Sequence, residues 1–115
     1  MNLDTQKSYY LSHPLTTSGD IDENYEKEQK CRNRIIAELP ESKRCGIIRP
    51  LICLPDVRTC DIDQKTAMEK CIALLQVCEG IILCPGWESS KGCQEEFNYA
   101  KDTGKEIIYF DELWN

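Results

Sequence analysis

The chain has 115 residues, room for one domain and one shared hydrophobic core, so residues 1–115 are expected to fold as one unit. Its 14 basic residues against 20 acidic ones give a formal net charge of -6, which argues against a nucleic-acid polymer as partner and favours a small ligand or another protein. The uncharged apolar stretches are short and the amino terminus, Met1 to Ser8, is polar, so neither a membrane span nor a secretory signal is expected, and a cytoplasmic location is.

Past the polar segment 1–7, the run Tyr9-Tyr10-Leu11 makes Lys7 to Leu11 a predicted strand that stops at Ser12-His13-Pro14. A polar loop, Leu15 to Gly19, follows. Asp20 with Glu23 is a capping-box signal for a helix that carries Tyr25, Ile35, Ile36 and Leu39 and is halted by Pro40. Cys45 to Ile48 is a second predicted strand. Pro50 and Pro55 then discourage regular structure between Arg49 and Cys60.

Asp61 or Asp63 caps the next helix, in which Met68, Cys71, Ile72, Leu75 and Cys78 share one face and Gly80 suits the position just past the end. Ile81 to Cys84 is a continuous apolar run between Gly80 and Pro85-Gly86, as expected of a strand buried on both faces of a parallel sheet. Ser89 or Ser90 caps a helix that turns Cys93, Phe97 and Ala100 inward and ends near Gly104. Ile107 to Phe110 is the last predicted strand, and 111–115 reads as a tail. Strands alternating with helices predict an α/β fold, a small doubly wound, flavodoxin- or Rossmann-like parallel sheet of four to five strands flanked by helices.

The eight cysteines, Cys31, Cys45, Cys53, Cys60, Cys71, Cys78, Cys84 and Cys93, contain no Cys-x-x-Cys pair, and His13 is the sole histidine. Buried free thiols in a reducing compartment are therefore expected, and a metal site is not.

Ligands of such sheets bind outside the carboxyl ends of the strands where the strand order reverses, which favours the loops Ser12 to Gly19 and Pro85 to Gly92. A helix beginning near Ser90 aims the amides of Lys91 and Gly92 and the Ser90 hydroxyl at an anion, phosphate being the obvious one. Capping by Ser90 and close packing at Gly92 account for the same residues equally well. Glu96 falls on the helix stripe shared by Cys93 and Ala100, whereas Glu95 is rotated roughly 100° away. A carboxylate on that stripe suits a nucleophile or an acid, or else an exposed helix glutamate or one bonded to backbone amides.

The segments Tyr9 to Pro14, Cys71 to Leu75 with Cys78, and Gly86-Trp87-Glu88-Ser89-Ser90-Lys91-Gly92-Cys93 through Glu96 and Ala100-Lys101 resemble the nucleoside 2-deoxyribosyltransferase-like superfamily. More narrowly, the pattern Gly-Trp-Glu-x-Ser-x-Gly-x-x-x-Glu is similar to an uncharacterised branch found in bacteria and their phages. The resemblance runs from Ser8 to Phe110. It implies a helix glutamate, here Glu96, that attacks the anomeric carbon of a deoxyribosyl nucleoside or nucleotide. Ser90 and Gly92 would hold the sugar or its 5′-phosphate, and Gly86, Trp87 and Glu88 of the same motif would belong to the substrate site. The loop of Ser12, His13 and Pro14 would close over the ligand.

Tyr10 or Tyr25 is a candidate to orient the carboxylate, Trp87 to stack on a base at the rim, and His13 to contact phosphate or base. Each of these residues also has an ordinary account as a packing or surface group. Arg49 is a further candidate for a phosphate. The family's catalytic members carry an acidic residue where this chain has Cys84-Pro85, and small residues where it has His13. The resemblance also implies a homodimer, with a small-molecule nucleoside or nucleotide as partner and no cofactor. Three classes of function follow: an enzyme acting on the N-glycosidic bond, a nucleotide-binding module without turnover, and an interaction domain with a vestigial pocket.

Overall fold

The computed structural model describes residues 3–17, 19–39, 41 and 46–114. Pro40 as a helix stop, Cys45 as the start of a strand, the first residues of the polar amino terminus and Asn115 of the expected tail lie outside the described residues. In chain order the elements are β1 (Ser8–Ser12), α1 (Ile21–Glu38), β2 (Gly46–Ile48), α2 (Pro50–Cys53), α3 (Pro55–Arg58), α4 (Gln64–Gln76), β3 (Gly80–Leu83), α5 (Lys91–Asp102) and β4 (Glu106–Tyr109).

The four strands pair in the order β2-β1-β3-β4, all parallel, as in the doubly wound sheet expected from the alternation of elements. Tyr10 is in register with Ile48 on one side and Ile81 on the other. The chain leaves β1 for β2 in one direction and reaches β3 in the other, so the order reverses between β1 and β3. Right-handed crossovers then put α1 on one face and α4 and α5 on the other. The strand period of two sorts the core accordingly. Tyr9, Leu11, Ile82 and Cys84 face α1 through Ile35, while Tyr10, Ile81 and Leu83 face Cys71, Leu75 and Ala100.

Side-chain caps fix where the long helices begin. Asp20 accepts from the Asp22 amide at 3.0 Å, Asp63 from Thr66 at 2.8 Å and Ser90 from Cys93 at 3.3 Å. Three expectations need correction. The segment after Arg49 is not irregular: Pro50 and Pro55 each open a short helix, because proline's missing amide and fixed φ suit the first helical position. Gly80 is not a helix cap but the first residue of β3, where a Cβ would come within 2.7 Å of Tyr9 Cδ1. The carboxyl-terminal stretch is not a loose tail, since Phe110–Trp114 forms a 3-10 turn that buries Phe110 and Leu113 against the α1 side of the core. Strand ends also shift by one residue, β1 running on to Ser12 and β3 ending at Leu83.

All seven described cysteines are free thiols, and four of them, Cys71, Cys78, Cys84 and Cys93, are buried. Cys53 and Cys60 depart from expectation by being exposed, because they sit on the short helices and their connection. No helix among the described residues is long and apolar enough to cross a membrane.

A buried glutamate at the strand tips

Tyr10 and Ser12 point to the same face of β1 because they are two residues apart, and that face is the one α5 covers. On α5 the buried positions are Cys93, Glu96 and Ala100, one stripe of the helical repeat. The carboxylate of Glu96 therefore meets the end of β1. The Tyr10 hydroxyl donates to its Oε2, and the Ser12 hydroxyl donates to its Oε1 at 2.7 Å. Glu96 is 7% exposed, so its partners in this setting are two neutral hydroxyls of the strand.

Burial pushes the Glu96 carboxyl up to about 7, with Glu95 adding to the rise and the bonds from Tyr10 and Ser12 opposing it. Desolvation disfavours the charged form, and the two donors restore only part of what water would supply. Burial likewise holds the Tyr10 hydroxyl well above its ordinary range, followed by the charge of Glu96, so the phenol stays protonated as a donor. Cys71 and Cys93, which flank the pair, are each pushed up to about 11, mainly by burial.

Glu96 opens into a cavity of about 440 Å³, within the range of small-molecule sites. His13, Leu15, Thr16 and Thr17 form the side after β1. Pro50, Leu51 and Val57 of α2 and α3 face Ala67, Met68 and Cys71 of α4, giving a largely apolar wall. Ser89, Ser90, Lys91 and Gly92 supply the polar end at the start of α5. There the amides of the first helical positions have no intrahelical carbonyl to bond. Ser90 is both the helix cap and a lining residue, so the capping account and the cradle account describe one geometry.

Of the residues singled out from sequence, Tyr10, His13, Ser90, Gly92 and Glu96 line this cavity. Ser12 supports Glu96 from behind. Pro14 is buried beside Gly86, whose φ of 88° gives the turn after β3 its left-handed bend. Trp87 packs its ring 5.0 Å from Phe97 and 6.0 Å from Tyr109, and Glu88 is exposed with its carbonyl accepting from Gln94. Neither Trp87 nor Glu88 is part of the cavity lining.

Arg49 does not reach toward the cavity. Its guanidinium grips the fully buried Glu28 of α1, with Nε 3.1 and 3.0 Å from the two carboxylate oxygens. Tyr25, the other tyrosine considered for Glu96, lies beneath Arg58, whose guanidinium carbon is 4.3 Å from the ring centroid. What the sequence reading missed is the wall of α2 and α3 and the Glu28–Arg49 pair beside it. The Pro-Leu-Ile-Cys and Pro-Asp-Val-Arg segments carried a usable signal in the position of their prolines. Among the described residues no group of three or more His, Cys, Asp or Glu side chains is arranged to hold a metal ion.

Among solved structures, the chain is similar to a 2-desoxiribosyltransferase from Leishmania mexicana, with a TM-score of 0.57 and 19% identity over 90% of this chain and 63% of that one. The chain thus spans less than two thirds of that protein, and at this identity the likeness is one of fold, a parallel α/β sheet flanked by helices. No curated protein matches the sequence. A family profile described as a domain of unknown function matches residues 7–109, which takes in every strand, the cavity and Glu96. On that match the chain belongs to the DUF4406 family.

Proposed function

We propose that the protein binds a nucleoside or its 5′-monophosphate in the cavity and cleaves or exchanges the N-glycosidic bond with Glu96 as nucleophile. The observation that carries this reading is the Glu96 carboxylate itself, buried at the tips of β1 and β3, held by Tyr10 and Ser12 and open to the cavity. The likeness of fold to a deoxyribosyltransferase supports it.

In this reading a Glu96 oxygen bonds to the anomeric carbon as the bond from that carbon to the base nitrogen breaks, and the bonding pair leaves with the base. Positive charge builds on the sugar ring on the way, and a carboxylate in a site of low polarity stabilises it strongly. Water or a second base then attacks the glycosyl ester, giving hydrolysis or transfer. The Tyr10 and Ser12 donors fix the carboxylate's orientation, which keeps the attacking oxygen aimed at the cavity. The apolar wall of α2, α3 and α4 suits the base, and Ser90, Lys91 and the first amides of α5 suit the sugar or its phosphate.

The test is incubation with the common deoxynucleosides and their 5′-monophosphates, followed by chromatography for free base. Release is expected with the native chain, lost in Glu96→Gln and kept in Glu95→Gln, since Glu95 is exposed and does not line the cavity. Ligand-induced thermal stabilisation without any product, unaffected by Glu96→Gln, would instead make the cavity a binding module and overturn the catalytic reading.

A further inference from the structure

The walls of the cavity are tied to the body of the protein unequally, and the amino-terminal half of α1 supplies the ties. Buried Asn24 donates from Nδ2 to the Leu15 carbonyl oxygen at 2.7 Å, which holds the loop after β1. The start of α2 is held by Arg49 on buried Glu28, and α2 itself buries Pro50 and Leu51. In contrast, α3 buries none of its four residues.

Among the described residues, Arg58 makes the one ion pair that leaves α3, to Asp22 Oδ1 at 2.7 Å, and its guanidinium also lies over the Tyr25 ring. A planar guanidinium can bond a carboxylate and stack on an aromatic face at once. The turn after α3 does not hold itself in place either. Cys60 has a φ of 60°, in the left-handed region, where a non-glycine residue is kept by its surroundings and not by its own preference. Yet Val57 and Cys60 line the cavity, so a stretch of its wall depends on a side chain outside the lining.

We propose that Arg58 is a positioning residue for the ligand: by clasping Asp22 and Tyr25 of α1, it seats Val57 and Cys60 against the bound molecule. This role rests on the reading of the cavity as the substrate site. Glu96 is held separately, by Tyr10 and Ser12 of β1. Losing the clasp therefore weakens binding without disturbing the reacting group, which raises KM and leaves kcat in place. The Asp22 side chain is 77% exposed, so the pair contributes little to global stability while it sets how often α3 opens.

Two measurements separate this role from a merely structural one. The first is base release from whichever common deoxynucleoside or 5′-monophosphate reacts fastest with the native chain. Arg58→Met, which loses both contacts, is expected to raise KM about tenfold and to keep kcat within about twofold. Arg58→Lys, which keeps a charge for Asp22, is expected to recover part of that rise. The second is limited trypsin digestion of the folded, ligand-free chain, where the bond after Arg58 can be cut and the bond after Arg49, followed by Pro50, resists. Asp22→Ala is expected to speed cleavage after Arg58 about fivefold with an unchanged urea midpoint.

Unchanged cleavage in Asp22→Ala, or an unchanged KM in Arg58→Met, overturns the role of Arg58. A fall in kcat together with a lower urea midpoint also overturns it, as the mark of a general loss of structure. If no deoxynucleoside or monophosphate releases base, the catalytic reading of the cavity fails by itself, and the trypsin rates still decide whether Arg58 seats the wall.

Discussion

The Tyr10 hydroxyl and the Glu96 carboxylate meet in a buried hydrogen bond between residues 86 apart in the chain, tying the central strand β1 to α5 at the point where the cavity opens. A phenol donating to a carboxylate is a charge-assisted bond, worth more when the carboxylate is ionised than when it is protonated. Tyr10→Phe keeps the ring packed on Cys71 and Leu75 but removes that donor. Glu96 should then titrate about one unit higher, which carboxyl carbon NMR would register. The loss of stability should be roughly 1.5–3 kcal/mol where Glu96 is charged, and smaller below its midpoint. An unmoved midpoint would mean that Ser12 and burial alone set the acidity.

Replacing the carboxylate itself tests the other side of this balance. The Glu96 carboxyl is raised from 4.5 to about 7, so between those values the folded chain holds a proton that the unfolded chain has released. Stability must therefore fall as pH rises through that window and level off above it, with an integrated contribution of roughly 3 kcal/mol. Glu96→Gln cannot release a proton. Urea unfolding across the same pH range should show this fall in the native chain and lack it in the variant. Equal slopes would place the acidity elsewhere.

The same residue shows how far a sequence carries. That Glu96 shares a helix stripe with Cys93 and Ala100 was legible from spacing, and the loops after β1 and β3 were favoured for a ligand, but the strand order that puts the reversal between them is visible only in the fold. Ser12 was legible as a strand stop and as a residue of the ligand loop, but not as a partner of Glu96, because that pairing is a contact across 84 residues. The cavity wall from Pro50 to Val57 was hidden because a proline that breaks a helix interior and one that starts a helix are the same letter. Trp87 had an equally good account on a rim or in a core, and only the positions of Phe97 and Tyr109 distinguish them.

The Glu28–Arg49 pair beside that wall offers a second test, independent of any ligand. Glu28 is fully buried in α1, and Arg49, just before α2, donates to both of its oxygens. Removing one partner strands a charge that water cannot reach. Arg49→Met should cost about 3–5 kcal/mol, whereas the double replacement with Glu28→Leu should recover most of that loss, because burial of the pair already carries a desolvation penalty. Chemical denaturation of the two variants gives the comparison. A single variant as stable as the native chain would mean that Glu28 finds another donor.

Gly80 and Gly92 should respond differently to alanine. A Cβ at Gly80 would lie 2.7 and 2.8 Å from two carbons of the Tyr9 ring and 3.2 Å from the Glu106 carbonyl oxygen. The ring cannot yield easily, since Tyr9 is fully buried and its hydroxyl accepts from the Asp4 amide and donates to Glu106 Oε1, each at 3.0 Å. Gly80→Ala should therefore cost about 1–3 kcal/mol. At Gly92 the nearest atom to a new Cβ is Met68 Sδ at 3.7 Å, an ordinary contact, so Gly92→Ala should leave stability within about 0.5 kcal/mol while narrowing the polar end of the cavity. The origin of the Gly80 penalty can be isolated by introducing Gly80→Ala into a Tyr9→Leu background. With the ring gone, the added methyl should cost measurably less than in the native chain, a coupling on the order of 1 kcal/mol. Strict additivity would assign the penalty to the Glu106 carbonyl and the strand backbone instead of the tyrosine.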